Sequence, residues 1–284
     1  MKNVFIVSNE FIDPTYKTAS ELKSCLEKRG CRCAVDGLSS FRKADGSKEL
    51  SGKTIPEDTD LFVVLGGDGT LMEATRFMPN SEIPVFGINT GTLGYLTEVG
   101  AEGATEAVGQ IIDGNYITEQ RILLNGTVRK TNGDIVHTAV NDIVLARYGS
   151  IDNINIQVRV NDSPLCAYRA DGVILSTPTG STAYNMSAGG PIATPTASLI
   201  LMTPVAPHNL TSRSIVFSGD DTIELTFLDR KTDKEKTAEV SFDGNINIPL
   251  NAGDSVVATK SDRLLKIIRL NNTSFMEILH QKLV

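Results

Sequence analysis

The chain has 284 residues, of which 40% are hydrophobic and 21% are charged, and its formal net charge is −7. This length suffices for one large or two ordinary domains, and the acidic balance argues against a general nucleic-acid binder, which presents a basic face. It does not exclude a nucleotide ligand, because a phosphate site needs only backbone N–H groups, a few local cations and Mg²⁺.

Cysteine usage and hydropathy predict a cytoplasmic protein. The four cysteines have no CxxC spacing, which favours reduced thiols. The apolar run from Val4 to Val7 is too short for a signal-peptide core, and no stretch approaches the length of a membrane span. His137, His208 and His280 are far apart in sequence, so no protein-ligated metal is expected. We therefore expect no nucleic-acid and no membrane partner.

Short apolar runs alternate with helical patterns over the first hundred residues. The patterns predict strands over residues 3–8, 31–35, 61–65 and 84–88, and helices over 15–29, from about 71, and over 104–112. Residues 41–58 are polar and predict a loop. Because strands alternate with helices, residues 1–117 are predicted to form an α/β domain with a mostly parallel sheet.

The pattern changes to strands after about Tyr116, which predicts an all-β domain over residues 118–262. The predicted strands cover residues 123–129, 143–146, 154–160, 173–176 and 223–228, with one short helical piece at 181–188. Turns are predicted at Asn125-Gly126, Asn132-Gly133 and Asn161-Asp162. Near the end, Ser274 to Glu277 has capping-box spacing, and Phe275, Ile278 and Leu279 form one apolar face of a last helix.

A glycine-rich turn directly after the apolar run Leu61 to Leu65 is the most informative local feature. Its sequence is Gly66-Gly67-Asp68-Gly69-Thr70. Three glycines let the backbone approach a phosphate closely, and Asp68 is a carboxylate without bulky neighbours. A strand-to-helix turn capped by Asp68 or Thr70 explains the spacing equally well. There is no GxxxxGK[ST] motif and no GxGxxG opening the first helix, which disfavours P-loop enzymes and ordinary dehydrogenases.

GGDGT followed by a helix resembles the signature shared by NAD kinases, diacylglycerol and sphingosine kinases, and phosphofructokinases. Further segments narrow the resemblance to NAD kinases, and they occur in that family's order from about Leu61 to the end. The segments are Asn89–Leu96, with Tyr95 where Phe is common, Asn141–Leu145, Arg169–Tyr184, Thr203–Arg213 and Ser274–Leu279.

The resemblance implies transfer of a phosphoryl group from ATP to the 2′-hydroxyl of the adenosine ribose of NAD. It implies that Asp68 is the catalytic base, that Mg²⁺ or another divalent cation arrives with ATP, and that the chain forms a homodimer or homotetramer. The phosphate loop would comprise Gly66, Gly67 and Thr70. Contacts to substrate or nucleotide are implied for Gly69, Asn141, Asp142, Arg169, Asp171, Thr182, Ala183, Tyr184, Asn185, Ser187 and Asn245.

The family also implies an architecture. Residues 263–284, a strand and a helix, would return to the first domain, and the site would lie in the crevice between the domains. In one respect the chain departs from the family pattern: some relatives carry Arg five residues after the GGDG aspartate, where this chain has Glu73. Arg76 follows one helical turn later and could take the place of that arginine.

Structural explanations stay open for several of these residues. Asn141-Asp142 could be a turn before a strand, Tyr184 a buried core residue, and Arg169 a member of a surface ion pair. The competing functions are a lipid kinase of the GGDGT superfamily and a non-catalytic NADP-binding sensor. Phosphofructokinase lacks support, because no Arg/His cluster for a sugar phosphate is visible.

Overall fold

The computed structural model describes residues 1–38, 55–78, 82–91, 94–149, 151–209, 211–228, 237–270 and 274–283. Most of the predicted polar loop, residues 41–54, lies outside the described residues, as do Thr92 and Leu93 of the NTGTLGYL segment. The chain divides into two units. Unit 1 comprises residues 1–120 and 265–284, and unit 2 comprises residues 121–264.

Unit 1 is built on a parallel sheet. Strands β1 (Asn3–Asn9), β2 (Arg32–Leu38), β3 (Leu61–Leu65) and β4 (Val85–Asn89) pair in the order β2-β1-β3-β4. The short strand β5 (Val99–Gly100) also pairs with β4. The last residues of β17 (Ser255–Arg269) add a further parallel strand, with Ile267 opposite Val85. β3 and β4 are buried throughout, as continuous apolar runs in parallel sheets are.

Within the described residues, unit 1 contains four α-helices. They are α1 (Lys17–Lys28), α2 (Asp68–Thr75), α3 (Ala104–Ile112), preceded by a 3₁₀ turn over 101–103, and α5 (Phe275–Leu283). α1 buries Ala19, Leu22 and Leu26, the residues whose spacing predicted it, in one core cluster with α3. Among the described residues, no helix has both the length and the apolar character needed to cross a membrane.

The last helix begins at the predicted capping box. The Ser274 N–H donates to the Glu277 carboxylate at 2.6 Å, and the Glu277 N–H donates to Ser274 Oγ at 3.2 Å. The two side chains thus satisfy each other's otherwise unpaired backbone donors. On the predicted apolar face, Ile278 is buried and Phe275 packs against the ring of Tyr95.

Unit 2 consists of antiparallel strands. One sheet has the order β13-β12-β11-β8-β15-β16, formed by Ile215–Ser218, Leu199–Val205, Gly172–Ser176, Asp142–Tyr148, Thr237–Phe242 and Ile246–Leu250. A second set pairs in the order β10-β9-β14, followed by β17, formed by Ser163–Ala170, Ile154–Val160 and Ile223–Leu228. A hairpin joins β6 (Ile117–Arg129) to β7 (Ile135–Ala139).

Apolar side chains from both sets of strands share a single core cluster, which includes Leu145, Val173, Ile156 and Phe227. The only described helical pieces of unit 2 are a 3₁₀ turn at Thr179–Thr182 and the one-turn helix α4 (Tyr184–Ser187). The predicted fold class, an α/β domain followed by an all-β domain, is confirmed. The chain passes between the units at Gln120 and again at Leu264, where the sequence predicted boundaries at 117 and 262.

One predicted turn is wrong. Asn125-Gly126 lies inside β6 rather than between two strands. A Cβ atom at Gly126 would come within 3.0 Å of the Phe242 and Ile143 side chains, so glycine serves close packing there. By contrast, Asn161 and Asp162 adopt φ values of 48° and 63° and form the predicted turn between β9 and β10.

Candidate active site

The glycine-rich turn lies at the carboxyl end of β3 and runs straight into α2. The Gly66 N–H still donates to the Ile88 carbonyl at 3.0 Å, and the first bond of the helix runs from the Leu71 N–H to the Gly67 carbonyl at 3.1 Å. The N–H groups of Asp68, Gly69 and Thr70 therefore have no partner within the helix. Such a helix start attracts an anion. The helix begins three residues earlier than predicted.

The three glycines of the turn have different surroundings. A Cβ atom at Gly66 would overlap the Thr70 side chain, so packing requires glycine there. At Gly67 and Gly69, no atom of the described residues lies within 4 Å of the place where a Cβ atom would be. Gly67 also has a φ of −89°, which any residue adopts. Folding does not demand glycine at these two positions, and their bare backbone leaves room for a ligand.

The Asp68 carboxylate is half-buried and accepts four hydrogen bonds from one segment. Oδ2 accepts from the Tyr95 N–H at 2.7 Å. Oδ1 accepts from the N–H groups of Leu96 at 3.0 Å and Thr97 at 3.2 Å, and from Thr97 Oγ1 at 3.3 Å. Neither Asp68 nor Thr70 caps the helix, since Gly67 occupies the cap position. Each carboxylate oxygen offers about two acceptor positions, and the described residues fill only one of those on Oδ2.

The remaining polar residues of α2 are engaged within the protein. Thr70 is buried and accepts a hydrogen bond from Asn9 Nδ2 at 2.9 Å. Glu73 is buried too, and its carboxylate lies 4.0 Å from the Arg76 guanidinium. Arg76 follows the last helical residue, about 12 Å along the axis from Asp68. Its backbone position therefore does not match that of an arginine at residue 73.

Unit 2 contains a cavity of about 450 Å³. Four of the predicted contact residues line it together: Asn141, Asp142, Ala183 and Tyr184. The other lining residues are Val144, Ala146, Glu239, Ser241, Asp243 and Gly244.

Asp243 shapes the floor of this cavity. Its carboxylate accepts hydrogen bonds from the backbone N–H groups of Val140 at 2.9 Å, Asn141 at 2.7 Å and Asp142 at 3.1 Å. The entry into β8 is therefore held by a carboxylate about a hundred residues away in sequence. Burial, and next the nearby Asp243 carboxylate, raise the pKa of Asp142 to about 7.

The segment around α4 presents some of its predicted residues and buries others. Tyr184 is 46% exposed, which rejects a core-packed tyrosine, and Ser187 is exposed. Asn185 is fully buried: its Nδ2 donates to the carbonyls of Ser181 and Pro191, and its Oδ1 accepts from Thr203. Its amide is thus used within the protein, while Thr182 and Ala183 are half-buried.

Comparison with models of known protein families identifies the family to which this chain belongs. The model of the ATP-NAD kinase N-terminal domain matches residues 4–116, and that of the ATP-NAD kinase C-terminal domain matches residues 140–270. The chain belongs to the ATP-NAD kinase family.

Full-length relatives agree with this assignment. The chain is 41% identical to the NAD kinase of Agathobacter rectalis, over 100% of this chain and 99% of that protein. It is 37% identical to the NAD kinase of Lachnospira eligens, with complete coverage of both. Yeast NADH kinase, solved with NADH, has a TM-score of 0.86 at 26% identity, covering 100% of this chain and 87% of that one.

A more distant solved structure shares the fold. The NAD kinase of Archaeoglobus fulgidus, in complex with ATP, matches with a TM-score of 0.77 at 22% identity, over 99% of this chain and 98% of that one. The α/β domain and the β-sheet domain described above are thus those of NAD kinase structures.

Within this NAD kinase family chain, three further predicted contacts are also not among the residues that line the cavity. Arg169 is exposed on β10. Asp171 accepts hydrogen bonds from Arg147 Nε at 2.9 Å and Asn153 Nδ2 at 3.0 Å. Asn245 is half-buried in the turn after β15, where its N–H donates to the Phe242 carbonyl at 3.0 Å.

Sequence reasoning missed Glu239 and Ser241 as cavity residues. A periodic signal was available, because Glu239, Ser241 and Asp243 alternate with the buried Val240 and Phe242 at the period of a strand. The polar face of β15 therefore lines the cavity. Burial raises the pKa of Glu239.

Proposed function

We propose that this NAD kinase family member transfers the γ-phosphoryl group of ATP to the 2′-hydroxyl of the adenosine ribose of NAD, which yields NADP and ADP. Two full-length relatives carry the name NAD kinase, and the similar yeast structure holds NADH. These relatives favour a dinucleotide acceptor over the lipid acceptors of other GGDGT kinases.

The observation that carries the mechanism is an acceptor position on Asp68 Oδ2 that no donor of the described residues fills. Phosphoryl transfer passes through a loose transition state, so the protein mainly positions the reactants, stabilises charge and receives a proton. The ribose hydroxyl loses its proton as its oxygen bonds to phosphorus. Asp68 Oδ2 is the proposed acceptor of that proton, and general-base help of this kind is worth about 10²- to 10⁴-fold in rate.

The phosphates of ATP are proposed to bind at the start of α2. The N–H groups of Asp68, Gly69 and Thr70 supply donors, and the open faces of Gly67 and Gly69 allow close approach. Thr70 contributes its N–H, while its side chain is held by Asn9.

A divalent cation, Mg²⁺ or another, is proposed to enter with ATP. The described residues offer no group of three or more His, Cys, Asp or Glu side chains suited to hold a metal ion, whereas phosphate oxygens bind Mg²⁺ readily. The cation supplies neutralisation of the phosphate charge.

The adenosine part of NAD is proposed to occupy the cavity of unit 2. The Asn141 amide offers both donors and an acceptor for an adenine edge, the Asp142 carboxyl group reaches ribose hydroxyls, and Tyr184 offers a flat ring. Asn185 and Asp171 act by shaping this region, since their side chains already bind within the protein. Thr182, Ala183, Arg169, Ser187 and Asn245 are kept as proposed contacts.

We further propose a homodimer or homotetramer that acts in the cytoplasm. The family resemblance implies that the segment from Thr182 to Ser187 reaches across a subunit boundary, and the exposure of Tyr184 and Ser187 suits that role. All four cysteines are free, in keeping with a reducing compartment.

The test is incubation of the purified protein with Mg-ATP and NAD, followed by assay for NADP. Parallel reactions with diacylglycerol and a sphingoid base test the lipid kinase alternative. Tight binding of NADP without ATP-dependent turnover would instead identify a sensor. Omission of the divalent cation should abolish turnover. Absence of NADP formation would contradict the proposal.

Asp68→Asn tests the base. We expect kcat to fall about 10²- to 10⁴-fold, with the Kd for NAD within about threefold of the wild-type value. The new amide N–H₂ can face the Tyr95 N–H in place of Oδ2, so thermal unfolding must be measured alongside. Near-normal turnover in a folded variant would remove Asp68 from the mechanism.

A further inference from the structure

At the end of β4, Asn89 carries a buried amide donor without a partner. Its side chain is 3% exposed, and Nδ2 makes no hydrogen bond to any of the residues that the structure describes. The other end of the amide is occupied, because Oδ1 accepts from the Gly91 N–H at 2.7 Å. The vacant end is therefore the N–H₂ group, which can only donate. Buried polar groups are rarely left unpaired in folded proteins unless a ligand or an ordered water completes them.

The position of Asn89 in the sheet brings it beside the glycine-rich turn. β4 is the parallel neighbour of β3, with Ile88 opposite Leu65, and the Gly66 N–H donates to the Ile88 carbonyl. Asn89 follows Ile88 directly. The carboxyl ends of parallel strands meet at one edge, which is where α/β proteins bind ligands.

The side-chain direction follows from the strand period. A Cβ atom at Gly87 would touch Leu71 of α2 and Thr97, so this face of β4 is the one covered by α2 and by the segment that holds Asp68. Asn89 lies two residues further along and shares that face. It therefore lies on the same side of the sheet as the unpaired N–H groups at the start of α2.

We propose that Asn89 Nδ2 donates a hydrogen bond to a phosphate oxygen of the ATP triphosphate. The occupant must accept hydrogen bonds and must suit a neighbouring helix start, and an anionic phosphate meets both conditions. A neutral donor here also adds to the phosphate contacts in a chain that has Glu73 in place of an arginine. This inference rests on the proposed function.

Asn89→Asp is the sharpest test, because it keeps the shape and the acceptor for the Gly91 N–H but replaces the donor with an oxygen. We expect the Kd for the β,γ-imido analogue of ATP, measured by calorimetry with Mg²⁺, to rise about 10- to 100-fold. The Kd for adenosine should not change in this variant, because adenosine has no phosphate.

Asn3→Asp is the matched control. Asn3 lies in the same sheet as Asn89 but at the amino ends of the parallel strands, where it begins β1. Its Nδ2 donates to the Asp58 carbonyl at 2.9 Å. Its ATP-analogue affinity should equal that of the wild type. An unchanged affinity in Asn89→Asp, accompanied by an altered unfolding temperature, would overturn the proposal and assign the amide to a structural water.

Direct binding measurements separate this inference from the proposed function. If the wild-type protein binds the ATP analogue through Asn89 but forms no NADP, the acceptor assignment fails while the phosphate contact stands. If NADP forms and Asn89→Asp binds the analogue normally, only the Asn89 assignment fails.

Discussion

Gly94 lies directly against the carboxylate of Asp68. A Cβ atom at Gly94 would come within 3.0 Å of all three carboxylate atoms of Asp68. The following three residues donate their backbone N–H groups to the same carboxylate. The glycine thus allows the chain to curl around Asp68 and to fix the direction of its free Oδ2 position.

Gly94→Ala should therefore displace the proposed base. We expect kcat to fall at least about 100-fold and the free energy of unfolding to drop by about 1–3 kcal/mol, because the extra methyl group cannot be accommodated without a shift. Steady-state kinetics and urea unfolding measure both effects. Gly103→Ala is the control, since no described atom lies within 4 Å of a Cβ there. Wild-type turnover in Gly94→Ala would show that the position of Asp68 does not matter.

Gly69→Ala should separate folding from activity. The residue lies in the first turn of α2 with open space around it. Glycine costs about 0.5–1 kcal/mol in a helix relative to alanine, so unfolding stability should hold or rise. The methyl group should nevertheless hinder the phosphates and lower kcat/KM for ATP about tenfold or more.

Gly66→Ala supplies the contrast, because its methyl group would overlap Thr70 and should lower stability. A Gly69→Ala variant that is both stable and fully active would argue against phosphate binding on this open backbone. Thermal unfolding and KM for ATP are the two measurements needed.

The raised pKa of Asp142 predicts a pH-dependent stability. Burial and then Asp243 raise this pKa from 3.8 to about 7, so the folded protein keeps the proton between these values while the unfolded chain has lost it. The stabilisation is fully present below about pH 4 and is lost as the pH rises to about 7, at about 1.4 kcal/mol for each unit of pKa difference.

Asp142→Asn should remove this dependence. Urea unfolding at each pH gives the free energy of unfolding of the variant minus that of the wild type. This difference should be more positive at pH 8 than at pH 5. The affinity of the variant for NAD should fall. Asp262→Asn, at an exposed position on β17, controls for the loss of a carboxylate elsewhere. Parallel stability curves for Asp142→Asn and the wild type across this range would contradict the assignment.

Local patterns in the sequence predicted most elements because their causes are local. The spacing of Ala19, Leu22 and Leu26 predicted α1, the apolar run over 61–65 predicted β3, and the Ser274 and Glu277 pair predicted the start of α5. The Asn125-Gly126 turn was wrong for the opposite reason. Gly126 is required by its close packing against Phe242, which is more than a hundred residues away in sequence. The Asn-Gly dipeptide itself carries no signal of that contact.

The candidate site divides in the same way. The sequence alone identified the glycine-rich turn, the carboxylate within it and the family. These features depend on the types and spacing of neighbouring residues, which can be seen directly in the sequence. Only the tertiary structure determined which hydrogen-bonding groups are already used. Among the described residues, the Asp68 Oδ1 acceptor positions are filled, Oδ2 accepts a single hydrogen bond, the Asn185 amide binds within the protein, and Asn89 Nδ2 has no partner. These outcomes depend on hydrogen-bond partners brought together by sheet topology, such as Tyr95, which is 27 residues from Asp68. No local pattern specifies such pairings.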